Sequence, residues 1–174
     1  MEGTVQFMQG DVIKVKMEQI EELKDITKRR GVRSRLCMQD SPENCMQDMY
    51  ICRKKGDYCR PDKHRDIPES HVIIDGTEAI VLFSDTGEII DAFILDRENG
   101  YLTYRINSAM YHMTIPLSEY AVDLEIKPGP FDDKTNIYPE WAPHNTDHDG
   151  IRKFMEKVNQ KIKILKSENC AKEM

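Results

Sequence analysis

Gly56-Asp57-Tyr58-Cys59-Arg60-Pro61-Asp62-Lys63-His64-Arg65-Asp66-Ile67-Pro68-Glu69 is the stretch on which the reading of this chain turns. It places a carboxylate, an imidazole and a second carboxylate within eight residues, Asp62 to Glu69. Asp62 and His64 are two apart, and on a strand residues two apart project to the same face. Glu69 follows a short polar bend, and Gly76 closes the unit. One further histidine, His112, lies in a later strand-like run, Tyr111-His112-Met113-Thr114-Ile115. Four hard or borderline donors that converge inside a β-barrel would make a divalent metal site.

The surrounding sequence supplies the strands for such a barrel. Met49-Tyr50-Ile51-Cys52 precedes the stretch. His71-Val72-Ile73-Ile74 follows it and ends at Asp75-Gly76, a turn signal. Glu78–Phe83 comes next, and Asp85-Thr86-Gly87 turns the chain into Glu88–Leu95. Asn99-Gly100 turns it again into Tyr101–Ile106, and the run at His112 and Tyr120–Ile126 complete the set. Short strands with regular turns and no helix between them predict a mainly β, antiparallel barrel or jelly roll.

Helices are predicted only at the two ends. Met17, Ile20, Leu23 and Ile26 recur at helical spacing, and Lys28-Arg29-Arg30-Gly31 reads as a basic C-terminal turn with a glycine stop. Arg33-Ser34-Arg35-Leu36-Cys37 begins the first predicted strand, and Ser41-Pro42-Glu43-Asn44 is a turn. Beyond Ile126 the chain becomes irregular and Pro-rich as far as Pro143, with the lone Trp141 expected to pack this wrap over the barrel. Ile151, Phe154, Met155, Val158, Ile162 and Leu165 then trace the stripe of a C-terminal helix. One domain is expected, in three zones: 1–45 with the N-terminal helix and leading strand, 46–126 the barrel, and 127–174 the wrap and final helix.

Length and charge narrow the function. A chain of 174 residues suits one domain with a real core. A net charge of −6, from 25 basic and 31 acidic side chains, disfavours a nucleic-acid partner, which needs a basic stripe. No apolar run reaches the roughly 18 residues of a membrane span, so no membrane partner is expected. The N-terminus lacks the basic start and apolar core of a signal peptide, and a cytoplasmic location is expected. The five cysteines, Cys37, Cys45, Cys52, Cys59 and Cys170, contain no Cys-x-x-Cys pair and read as free thiols.

The donor spacing carries a resemblance. Gly56, five residues, Asp62, one residue, His64, four residues, Glu69, six residues, Gly76 is similar to the first motif of the cupin superfamily, with Asp62 where that motif has His. Gly100, His112 and Pro116 resemble the second motif. Arg33–Cys37, Arg60-Pro61, Gly129-Pro130-Phe131-Asp132 and Trp141-Ala142-Pro143 recur in that order in the WbuC family of cupin-fold metalloproteins, which this chain resembles over roughly residues 10–143. The resemblance implies a cupin-type barrel in which Asp62, His64, Glu69 and His112 hold a metal. It also implies a setting in surface-polysaccharide or O-antigen biosynthesis, and a homodimer.

Donor chemistry refines the expectation. Two imidazoles and two carboxylates neutralise a divalent ion and favour Fe2+ or Mn2+, with Zn2+ also accommodated. If Asp62 is instead a loop carboxylate, His64, Glu69 and His112 remain as a three-donor site. Glu69 is the candidate for moving a proton, and Arg60, Tyr58 and Tyr104 are candidates for holding a small polar ligand such as a sugar or nucleotide sugar. Arg33, Arg35 and Arg105 offer further forks for phosphate or carboxylate. His71 is a weaker ligand candidate, and His144 and His148 read as solvated. Two other functions fit the same fold. One is a metal-free nucleotide-sugar isomerase or epimerase, using His64 or His112 with Tyr104 or Tyr111. The other is a non-catalytic ligand-binding or sensor module.

Overall fold

β-branched and aromatic residues cut into short runs by turns fold this chain mainly into strands. The protein is described by a computed structural model over residues 3–172, with side chains as far as Ile164. The strands are β1 (Thr4–Phe7), β2 (Ser34–Cys37), β3 (Met46–Lys54), β4 (Lys63–His64), β5 (Glu69–Asp75), β6 (Glu78–Phe83), β7 (Ile89–Leu95), β8 (Thr103–Ile106), β9 (Tyr111–Pro116), β10 (Tyr120–Pro128) and β11 (Asn136–Ile137). Helix α1 (Met17–Arg30) precedes β2, and α2 (His148–Lys172) follows β11. Three sheets result, with strand orders β1-β2-β3-β10-β5-β8, β7-β6-β9 and β11-β4. β1 and β11 were not anticipated from the sequence. The predicted strand through Asp62 and His64 is only two residues long, extended by a mutual backbone bridge in which Asp62 and His112 exchange hydrogen bonds of 3.2 and 3.0 Å.

Register decides which side chains face inward. Directly opposite residues in a sheet share a face. Phe7, Cys37, Met49, Glu125, His71 and Tyr104 form one such row across all six strands of the large sheet. Arg35, Ile51, Asp123 and Ile73 form the next. The opposite face packs against α1, where Ile20, Leu23, Leu36, Cys52 and Val122 make a closed apolar cluster. Ile20 and Leu23 are essentially inaccessible, each contributing about 1.5–3 kcal/mol by burial. α1 ends as predicted at Gly31, whose φ of 68° is the left-handed stop and whose N–H reaches the Thr27 carbonyl at 2.8 Å.

The three-stranded sheet is covered on its outer face by the other helix. Ala79, Val81, Phe83, Met113 and Ile115 pack with Val158 and Ile162 of α2, and Phe154, Met155 and Trp141 complete the cluster. The Trp141 ring lies tilted against Phe83 with centroids 5.1 Å apart and donates its indole N–H to the Asp85 carbonyl, so the wrap is pinned over the barrel. The side chain of Leu165 lies outside the described residues. With both outer faces covered, the space between the sheets is left for the polar side chains of the inner rows.

Gly76 makes the turn between β5 and β6 at φ 75°. A Cβ there would sit 2.5 Å from the Tyr120 carbonyl oxygen and 3.1 Å from Ala121 Cα. Gly76→Ala should therefore destabilise the fold by about 1–3 kcal/mol from backbone conformation, with the clash in addition. An unchanged denaturation midpoint would show that this turn does not depend on glycine.

Candidate metal centre

Glu69 opens β5 on the inner face, His64 ends β4, and His112 is the second residue of β9. Each therefore comes from a different sheet. His64 Nε2 is 3.1 Å from Glu69 Oε2, and His112 Nε2 is 2.9 Å from Glu69 Oε1. One donor atom from each of the three lies within 4.8 Å of the others, and all three residues are buried. The two rings are tilted, with centroids 5.7 Å apart. His112 donates its Nδ1–H to the Met110 carbonyl at 3.1 Å, which turns Nε2 toward Glu69.

Electrostatics follow from this packing. Burial alone would raise the Glu69 pKa, but the hydrogen bonds with His112 and His64, with His71 close by, overcome it and hold the carboxyl far below its usual range. Burial lowers the His112 pKa, and the contact with Glu69 outweighs it, so the imidazole shifts upward. Asp62 is pushed upward, chiefly by burial, with the two imidazoles opposing. Asp62 lines the same cavity, and the bridge to His112 aims both side chains to one side of the local ladder. Its carboxyl is not one of the three mutually close donors.

Behind Glu69 lies a buried polar chain that the sequence did not reveal. His71 Nε2 is 3.7 Å from Glu69 Oε2, and its Nδ1 is 2.7 Å from Asp123 Oδ2. Burial lowers the His71 pKa, but the two carboxylates carry it up to about 10. Asp123 also binds Arg53, whose guanidinium is 3.5 Å from Glu78 Oε1. Tyr104 stacks on His71 with ring centroids 4.8 Å apart and near-parallel planes. The one available signal was charge on alternate residues of a strand, Asp123-x-Glu125-x-Lys127, whose other face is also covered.

Asp123 and Glu78 compete for Arg53. Asp123 has two partners and stays ionised, with its pKa lowered. Glu78 is raised to about 8, first by burial and then by Asp123, and its Oε2 has no partner. The folded state thus binds a proton that the unfolded chain releases above about pH 4.5. This contribution to stability is present below that pH and is lost as pH rises toward 8. Glu78→Gln should abolish the loss: its stability relative to the parent should increase by more than about 1 kcal/mol between pH 5.5 and 8.5 in denaturant melts. A constant difference across that range would rule out Glu78 as the buried titrating group.

The remaining candidates are placed as follows. Arg60 lines the cavity, donates to the Pro139 carbonyl at 2.8 Å and sits 5.2 Å over the Tyr138 ring. The Tyr58 hydroxyl donates to the Pro143 carbonyl at 3.0 Å, and its ring meets Phe154. Tyr104 backs His71, with a buried hydroxyl that has no partner. Arg105 lies on the outer face, bonded to Ser70 and Asn107. His144 and His148 are exposed. Cys37, Cys45, Cys52 and Cys59 are free thiols, while the side chain of Cys170 lies outside the described residues. Burial pushes the Cys37 and Cys52 thiols up to about 11, away from reactivity.

Two imidazole nitrogens and a carboxylate, buried and mutually close, fit a divalent ion of the Mn, Fe or Zn type. The donors face a cavity of about 930 Å3, large enough for a small organic molecule.

Residues 16–95 match a family model described as "Domain of unknown function (DUF6016)". No curated protein matches the chain. Among solved structures it is similar to the capsular polysaccharide assembling protein CapF from Staphylococcus aureus, with 16% identity and a TM-score of 0.50, over 59% of this chain and 30% of CapF. It is also similar to protein SO0799 from Shewanella oneidensis, with 8% identity and a TM-score of 0.47, over 55% of this chain and 63% of that one. Oxalate decarboxylase from Bacillus subtilis shares 17% identity at a TM-score of 0.43, over 55% of this chain and 24% of that one. The chain thus spans less than two thirds of each of these proteins. The architecture is a cupin-type jelly roll, as the train of short strands predicted and the motif resemblance implied. No helix among the described residues is long and apolar enough to cross a membrane.

Proposed function

We propose that this chain is a cupin metalloprotein that holds Fe2+ or Mn2+ through His64, Glu69 and His112 and acts on a small polar molecule in the adjoining cavity. The observation that carries this reading is the convergence of three buried donors from three sheets within 4.8 Å. Asp62 flanks them and supplies a second carboxylate. A bound ion would act as a Lewis acid toward an oxygen of the ligand. Glu69, held ionised by three imidazoles, is suited to remain an anion beneath the ion. Proton movement at the ligand is better assigned to Asp62, whose carboxyl is pushed upward and faces the cavity. A sugar or nucleotide sugar as ligand, and a setting in surface-polysaccharide synthesis, rest on the ordered WbuC-like tripeptides and on likeness to CapF.

Metal analysis of protein purified without chelators tests the reading. A stoichiometric divalent ion is expected. Failure to retain Mn2+, Fe2+ or Zn2+ after loading would overturn it.

A second reading, a metal-free isomerase or epimerase, draws on the hydrogen-bonded pairs that Glu69 makes with His64 and His112. Turnover of a nucleotide sugar that survives complete metal removal would favour it.

A further inference from the structure

The cavity that the three donors line also carries guanidinium groups with no ion-pair partner among the described residues. Arg33 and Arg35 lie two apart at the start of β2, and both line the cavity. Neither side chain has a carboxylate within ion-pair distance, or any hydrogen bond, among the described residues. Arg33 is exposed and Arg35 half-buried, whereas two other cations of the wall are matched: buried Arg53 by Asp123 and Glu78, and half-buried Lys127 by Glu125 at 2.6 Å. Arg60, also in the wall, is held only by the neutral Pro139 carbonyl and the Tyr138 ring, and its Nε is buried without a partner. Burial lowers the pKa of Arg35, and the neighbouring Arg33 and Arg53 push it the same way, with Glu125 opposing. Like charges held side by side in a half-closed space, on a chain of net charge −6, are stabilised when an anion sits between them.

We propose that Arg33 and Arg35 form an oxyanion subsite that takes a phosphate or carboxylate group of the cavity's ligand. This rests on the reading that the ligand's other end faces His64, Glu69 and His112. The strand order β2-β3-β10-β5 puts three strand spacings, about 14 Å, between the strands of Arg35 and Glu69, and the register, which sets Arg35 level with Ile73, adds four residues, about 13 Å, along β5. The substrate class is therefore an elongated polar molecule bearing an oxyanion, of sugar-phosphate or sugar-acid type. The planar forks of two arginines suit either group, and Arg60 lines the same cavity.

Isothermal titration of metal-loaded protein with inorganic phosphate, and separately with succinate, at ionic strength fixed by chloride, tests the subsite. At least one anion should bind the parent and Arg105→Gln, whose arginine lies on the other face of the sheet. Binding should weaken at least about tenfold in Arg35→Gln and in Arg33→Gln, with metal content unchanged. Preference for phosphate would mark a phosphorylated ligand, and preference for succinate a carboxylated one. Parental affinity in both arginine variants, or no response of the parent to either anion at tens of millimolar, would overturn the proposal. Repeating the titration on metal-free His112→Ala separates the two ideas. Anion binding there, in a chain whose parent takes up no metal, would leave the subsite standing and remove the metal. A metal-binding parent that ignores both anions would do the reverse.

Discussion

Arg53→Met should cost about 3–5 kcal/mol of stability, the largest loss expected from any single change outside the hydrophobic clusters. Arg53 is buried on the inner face of β3 and is the cation shared by Asp123 and Glu78, both fully inaccessible. Methionine fills much of the volume but leaves Asp123 with His71 as its only charged partner. Glu78 would then stay protonated well above neutrality, and Asp123 would draw harder on His71. The variant should lose stability most steeply with rising pH, because two buried carboxyls then resist ionisation without a guanidinium. Guanidinium melts at pH 6 and pH 8.5 measure this. Removing Asp123 together with Arg53, as Arg53→Met with Asp123→Asn, should recover part of the loss, since coupled partners are not additive. A cost below about 1 kcal/mol in the single variant would mean that solvent reaches this chain of charges.

His112→Ala and His64→Ala should each weaken metal binding by more than about a hundredfold, since even outer partners of ligands are worth about 10–100-fold. Each change removes one of the three donors that converge among the described residues and leaves Glu69 facing a hole. His148→Ala, in an exposed position, should bind metal like the parent. Asp62→His should retain binding and shift preference toward Zn2+ or Cu2+, because a nitrogen donor is softer than a carboxylate oxygen. Metal content after dialysis against competing chelator is the measurement. Stoichiometric metal in both His64→Ala and His112→Ala would refute the centre, whereas an effect of Asp62→Ala comparable to theirs would make Asp62 a full ligand.

Much of this was readable in the residues, for local reasons. The stripe Ile20–Leu23–Ile26 gave α1, and Glu78–Phe83 gave β6 to its exact bounds, because hydrophobic period and turn residues act over a few positions. Parity placed Asp62 and His64 on one side, and the bridge to His112 keeps them there. What escaped depends on partners far along the chain. Thr4–Phe7 alternates polar and apolar residues over only four positions, too short a signal to stand alone, and becomes β1 by pairing in parallel with Ser34–Cys37. His71 looked like a minor candidate because its role comes from Asp123, 52 residues further on. Arg53 is the penultimate residue of β3, a strand that reads as ordinary until Asp123 and Glu78 are brought beside it. Tyr58 alternates with Arg60 and Asp62 and lines the same cavity, with its hydroxyl bonded to the Pro143 carbonyl.

The origin of the three donors in three separate sheets has a mechanical meaning. Strand pairing holds each sheet together internally, whereas between the sheets the joint is made by side chains and a few backbone bonds, such as the pair between Asp62 and His112. An ion gripped by His64, Glu69 and His112 is a rivet through that joint, joining β4, β5 and β9 at one point. Its binding energy would be felt by the native arrangement alone, since an unfolded chain cannot bring the three together. Loading the site would then slow the breathing of one sheet against another while leaving the hydrogen-bond ladders within each untouched. The mouth of the cavity and the strength of the whole sandwich would be set by the same atom.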